Sequence, residues 1–325
     1  MSALSLQPCP GAYCARLNSS NGWSSCGPCP AGHRSDQGFC RPCDQPASAY
    51  MWLYLGFMAL IPVLCNMIFL SRSRGHKRLL LLAGLCALES VLAALASVLV
   101  FPPRGSPYLT VCGVNNLSDW YPVFFNPDQG AATDRPAFEA ASCAHEVVYP
   151  LYSIVLTYYA FCVLFLLLMR PVAYRLLGGS RRYVLYAPMF LYPLLALLHS
   201  ISGGLLYFAF PYLLLLCTLL SHAVFLLCQI DPEQPAAQTS AKWMLCNTLL
   251  KPLTVLLLLV HWLFLGVAVF SIVAAKPADE ASGARWVVAA VPLPYLLFVA
   301  TLRFSHPDAA YMAGDYEENA ELRGG

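Results

Sequence analysis

The chain has 325 residues, of which 58% are hydrophobic and 11% charged, with 19 Lys and Arg against 17 Asp and Glu. A soluble domain carries about a quarter of its residues as charged side chains, so an ordinary soluble protein is excluded, and a net charge of +2 offers no basic surface for nucleic acid. The apolar residues come in long runs, which makes an all-α polytopic membrane protein the expected fold class.

The first 49 residues hold six cysteines, Cys9, Cys14, Cys26, Cys29, Cys40 and Cys43, four of them in two C-x-x-C pairs ten residues apart. Such pairs are zinc ligands in reducing compartments or disulfide partners in oxidising ones. Ribbon-type zinc sites leave about 15 to 20 residues between pairs, so the shorter spacing favours disulfides. The expectation is a small lumenal cysteine-rich module over 1–49, in which bridges replace a core too small to hold itself. Six cysteines allow many connectivities, and the spacing chooses none. The opening "MSALSLQPCPG" has neither a basic start nor an apolar core, so the first span is expected to act as the signal.

Apolar runs then suggest seven spans, at 50–70, 79–101, 147–169, 183–200, 205–228, 249–274 and 286–302, judged against the roughly 20 residues that cross a bilayer. The first ends in the basic cluster "SRSRGHKR". A polar lumenal loop, 102–146, follows the second and carries Cys112 and Cys143, a candidate bridge. The third stops at Arg170-Pro171. The run from Tyr183 to Gln229 is too long for one span, and Gly203 and Gly204 in "HSISGGLLY" are expected to make the turn between spans four and five. The last run has 17 residues and carries Pro292 and Pro294, so six spans or a re-entrant segment is the alternative. An acidic cytosolic tail, 303–325, ends the chain.

With seven spans and the N-terminus lumenal, the cytosolic loops hold twelve of the 19 Lys and Arg. Arg72, Arg74, Lys77, Arg78, Arg170, Arg175, Arg181 and Arg182 stand closest to the membrane, as the positive-inside rule asks. Acceptor sequons for N-glycosylation at Asn18 and Asn116 fall on the lumenal side.

Ionisable groups inside a bilayer mark function by default. Glu89 sits mid-span in "LCALESVLAAL", Asn66 near the end of the first span, and His199, His222 and His261 in or near spans four to six. One carboxylate with scattered histidines is thin for a transporter or proton relay. The structural reading is a Glu89 that is protonated or paired within the bundle. "HEVVY" at 145–149 starts like a zinc-protease motif, but Tyr149 stands where the second ligand is needed. Ser200 or Ser202 near His199 or His222 suggests interhelical packing more than a nucleophile and base. A seven-helix receptor shares the topology, yet "LLLMRPVAYR" lacks an acid-Arg-aromatic triplet and "VPLPYLLF" replaces Asn-Pro-x-x-Tyr. No catalytic residue, metal site or cofactor is expected, and no enzyme.

Several stretches together resemble the c-Jun N-terminal kinase-associated membrane protein family: "CPGAYC", "CGPCPAG" and "CRPC" in the tail, "WLYLGFMA" in the first span, and "LSDWY" at 117–121. "HEVVYPLY" at 145–152, "YYAFC" at 158–162 and "GGLLYFAFPY" at 203–212 add to them. They run in order through the first two thirds of the chain, and after Gln229 the likeness fades. The resemblance implies a seven-span protein of the endoplasmic reticulum membrane that acts as an adaptor. It implies partners in ubiquitin ligases and the proteasome, a role in degrading misfolded proteins, and binding of the stress kinase.

Overall fold

A computed structural model describes residues 9, 11–20, 22–71, 76–124, 145–177, 186–229, 245–246, 248, 250–276 and 285–305. The basic residues 72–75, the segment 125–144 with Cys143, Arg181, Arg182, Lys242 and the tail beyond Ser305 lie outside them. The chain forms two compact units, Met1–Phe208 and Ala209–Gly325.

The first unit opens with a small β module. Strand β1 (Cys14–Ala15) pairs with β4 (Gly27–Pro28), and β2 (Asn18–Ser19) with β3 (Gly22–Trp23). The longest hairpin joins β5 (His33–Asp36) to β6 (Phe39–Pro42) through Gln37 and Gly38. Both turn residues have positive φ, +51° and +82°, the backbone that matches the twist of two antiparallel strands. Bridges join Cys9 to Cys26, Cys29 to Cys40 and Cys43 to Cys112, and Cys14 is disulfide-bonded too.

Cys112 was expected to face Cys143; it bonds Cys43 instead. The cause is a strand pairing that spans the chain. The last module strand, β7 (Gln45–Pro46), pairs antiparallel with a strand that follows the second helix, Thr110–Val111, and this sets the two cysteines side by side. The tail and the loop after the second span are therefore one covalently closed body.

Three helices carry the rest of the first unit: α1 (Ala49–Ser71), α2 (His76–Val100) and α3 (Leu151–Leu177). Leu, Ala and aromatic residues fill them, and their outward Leu and Val stay exposed, as suits lipid-facing helices. The third helix was expected to stop at Arg170-Pro171, yet it continues through both. A fourth, α4 (Leu191–Leu227), begins in the first unit and ends in the second. It also runs unbroken through Gly203 and Gly204, so these glycines make no turn. The serines of that stretch bond carbonyls one turn back along the same helix, and in hydrocarbon a turn would leave backbone groups without partners.

The second unit adds α5 (Pro252–Ala274), a 3-10 turn over Arg285–Ala290 and α6 (Leu293–Ser305). Leu226, Leu258 and Tyr295 form its core, with Phe225, Trp262 and Phe298 around them. At 13 residues, α6 is about 20 Å long by helical rise, short of the roughly 30 Å hydrocarbon layer. Among the described residues five helical stretches are long and apolar enough to cross a membrane: Ala49–Phe69, Leu81–Val100, Leu151–Val172, Ala187–Leu227 and Pro252–Ala274. Trp286–Thr301 is a shorter apolar one.

Candidate functional site

Two polar constellations hold the first unit together, one inside the apolar helices and one at the module. The inner one is built on Glu89. Helix α2 presents its carboxylate, 3% exposed, to Arg170 of α3, which is fully buried. The guanidinium grips it bidentately, Nε donating to Oε1 at 2.6 Å and Nη2 to Oε2 at 2.7 Å. Nη2 also reaches Cys86 Sγ at 2.9 Å and Asn66 Oδ1 at 3.4 Å. Asn66 in turn donates to the Pro62 carbonyl and to Tyr192 OH of α4. One ion pair thus ties all four helices.

Arg170 was expected in a cytosolic loop; it is instead Glu89's partner. A long apolar run that meets Arg-Pro suggests a span end, because an unpaired guanidinium is unfavourable in lipid. The bidentate carboxylate removes that objection. About one turn before Pro62, whose ring removes a donor from the ladder of α1, comes a similar repair. Tyr158 OH donates to the Ala59 carbonyl at 3.1 Å and lies 2.7 Å from Ser90 Oγ. Prolines are tolerated in spanning helices when neighbours satisfy the loosened carbonyls this way.

The second constellation is centred on Asp119, in a 3-10 turn over Leu117–Trp120. This carboxylate, 2% exposed, accepts from Arg34 of β5 at 3.1 and 3.0 Å, from Tyr13 OH at 3.1 Å, and from the backbone of Asn115 and Asn116 at 2.9 and 3.1 Å. Arg34 also donates to the Gly113 carbonyl. Burial, reinforced by the charge of Asp119, pushes the Tyr13 phenol above its ordinary value, so it stays a donor.

The next two residues carry the connection into the bundle. Trp120 packs over Gly203 and Gly204, with Tyr54, Tyr207 and His199 around its ring. A Cβ on Gly204 would sit 2.7 Å from Trp120 Cβ and 2.9 Å from the Tyr121 ring. Tyr121 OH donates to the Ile201 carbonyl and accepts from Gly204 N–H. The glycine pair thus makes room for the loop that the module clamps.

The remaining candidates have local partners. Ser200 and Ser202 donate to carbonyls one turn back, at Ala196 and Leu198, and His199 Nε2 lies 3.2 Å from the Tyr152 carbonyl. Glu146 of "HEVVY" accepts from Ser153 N and Oγ at the start of α3. His222 and His261 meet in the second unit, with ring centroids 5.2 Å apart. Asn18 and Asn116 are exposed. Among the described residues no three His, Cys, Asp or Glu side chains gather as a metal site.

Sequence reasoning found Glu89 and missed Arg170, Asp119 and Arg34. "LSDWY" stood out only as a likeness; nothing local shows that its aspartate answers an arginine 85 residues away.

Comparison with known proteins places the chain. The family model for JNK1/MAPK8-associated membrane protein matches residues 9–307. The chain belongs to that family. It is 34% identical to the JNK1/MAPK8-associated membrane protein of Mus musculus over 96% of this chain and 98% of that protein. The Homo sapiens protein of the same name gives the same values. A homolog from Caenorhabditis elegans is 32% identical over 87% of this chain and 84% of its own length. The likeness therefore continues well past Gln229, where the sequence motifs fade. No solved structure matches. The family is named for association and for the membrane, not for a reaction.

Proposed function

We propose that this chain is a non-enzymatic adaptor of the endoplasmic reticulum membrane, crossing it seven times with the cysteine module in the lumen and the tail in the cytosol. It links ubiquitin ligases and the proteasome to the degradation of misfolded proteins and modulates c-Jun N-terminal kinase signalling. The observation that carries this reading is how the polar groups are used. Glu89 is gripped by Arg170 and Asp119 by Arg34, so both carboxylates hold helices and loop in place. Such a body suits a scaffold that presents surfaces. Disulfide bonds through the module favour an oxidising compartment, and exposed Asn18 and Asn116 suit glycan acceptors.

Proximity labelling from the C-terminus, in cells making the full chain, tests the role. Ligase and proteasome subunits, with the kinase, are the expected neighbours; G proteins and arrestins in their place would overturn the adaptor reading. Protease treatment of sealed microsomes, with a tag at each end, tests the orientation. Protection of the N-terminal tag alone is expected.

A further inference from the structure

Near the cysteine module, α1, α2 and α3 do not close on one another and leave a cavity of about 210 Å3 between them. Helix α1 contributes Trp52 and Gly56 to its lining, α2 Ala94 and Val98, and α3 Ile154 and Tyr158. Ile154 and Tyr158 are buried and form the floor, whereas exposed Trp52 and Gly56 mark a mouth on the lipid-facing side. A Cβ on Gly56 would meet nothing within 4 Å, so the space is open there.

The helix ends that flank this cavity all face the module. Helix α1 follows it directly, the strand after α2 pairs with β7, and Cys112 N–H donates to the Tyr149 carbonyl just before α3. The lining residues lie three to ten positions in from Ala49, two to six from Val100 and three to seven from Leu151. At 1.5 Å per residue that spans about 3 to 15 Å of depth. Half of a roughly 30 Å hydrocarbon layer is about 15 Å, so the cavity belongs to the leaflet on the module's side.

Its polar groups are already committed within the protein. Tyr158 OH is bonded to the Ala59 carbonyl and to Ser90, and Ser97 Oγ donates to the Ala94 carbonyl. Apolar cavities of about 150 Å3 stay dry and take hydrocarbon ligands. A helix, about 10–12 Å across with its side chains, does not enter a space of this size. A sterol would bring a hydroxyl toward the headgroups, where Ser97 is buried with its proton already given. The occupant this leaves is the upper part of an acyl chain.

We propose that the cavity binds one phospholipid of the module-side leaflet, its acyl chain laid between α1 and α2 against α3. The chain fills the gap that Gly56 and Ala94 leave, so this lipid belongs to the packing of the three helices and does not exchange freely with the bilayer.

The test uses the full-length protein in vesicles of dioleoyl phosphatidylcholine, a fraction of it carrying a diazirine on one acyl chain. After photolysis, peptide mapping should find adducts on 52–59 and 94–98 severalfold more often than on Leu164 and Leu168, which are exposed on α3 outside this cavity. Mass spectrometry of the intact protein in mild detergent should find a single phospholipid retained per chain. Gly56→Leu and Ala94→Leu fill the space from opposite walls, and each should cut both adducts and retained lipid severalfold. Loss in either folded variant supports the site, and the adduct map of the unaltered chain decides alone where neither folds. Adducts spread evenly over the lipid-facing residues, retention undiminished in both folded variants, or displacement of the phospholipid by cholesterol overturns the proposal.

Discussion

Removing the carboxylate of Glu89 would leave Arg170 buried without its counter-charge, and the reverse change would strand Glu89. Breaking one side of a buried pair costs about 3–5 kcal/mol, whereas replacing both sides with apolar residues of similar volume is often neutral. Glu89→Gln and Arg170→Met should each lower the apparent melting temperature in detergent and shorten the cellular half-life. Glu89→Leu combined with Arg170→Met should recover most of the loss. A double variant as unstable as the singles would show that the pair does more than neutralise charge. Gly204 gives a second test at this scale. Gly204→Ala drives a Cβ to 2.7 Å from Trp120 Cβ, and overpacking of that kind costs about 1–3 kcal/mol. Gly84→Ala, where nothing lies within 4 Å of the new atom, should be neutral or slightly stabilising, so the two melting curves together separate close packing from helix propensity. The sequence reveals that Glu89 is unusual because hydropathy makes one carboxylate conspicuous in "LCALESVLAAL". It conceals Arg170, because an arginine followed by proline at the edge of an apolar run looks like a boundary. Only helix packing tells which residue answers which.

Strand pairing between Gln45–Pro46 and Thr110–Val111 decides what the cysteine module is joined to. The Cys43–Cys112 bridge closes 69 residues of chain, and a crosslink over a loop of that size stabilises by about 2–4 kcal/mol. The double variant Cys43→Ser/Cys112→Ser should therefore lower the melting temperature and open the 101–124 loop to limited proteolysis in detergent. The bundle's Glu89–Arg170 network, which touches neither residue, should leave the helices folded by circular dichroism. Asp119→Asn weakens the same connection from its polar side. Arg34 loses its counter-charge, and cleavage of the loop should quicken even with the bridge intact; an unchanged rate would mean the disulfide alone carries the connection. The cysteine spacing makes a disulfide framework legible, but connectivity depends on which strand lies beside which. Two-residue strands such as these leave no periodic trace in sequence. Gly203 and Gly204 misled for a related reason. A glycine pair is a turn signal in water-exposed chain, and inside an apolar run it is equally a place where another ring can approach.

On the scale of the whole molecule, the open quantity is how often the chain crosses the bilayer. The stretch Ala187–Leu227 has 41 apolar-rich helical residues, about 60 Å at 1.5 Å per residue, twice what a roughly 30 Å hydrocarbon layer asks. Two crossings would use that length but need this helix, unbroken over Leu191–Leu227, to open at a turn inside the membrane; one crossing leaves about half of it outside the hydrocarbon. The distinction falls on Cys228 and Cys246, free and exposed thiols just past α4 and just before α5. Residues 229–245 between them carry Asp231, Glu233, Lys242 and two prolines, too polar a stretch to cross, so both thiols face one side. With two crossings that side is the cytosol, where thiols stay reduced. With one it is the lumen, where the module's cysteines are bridged. A membrane-impermeant maleimide added to sealed microsomes should label both thiols without permeabilisation, and Cys228→Ser/Cys246→Ser should abolish the added mass. Labelling only after the membrane is opened would assign a single crossing to the long helix and put residues 229–250 on the lumenal side.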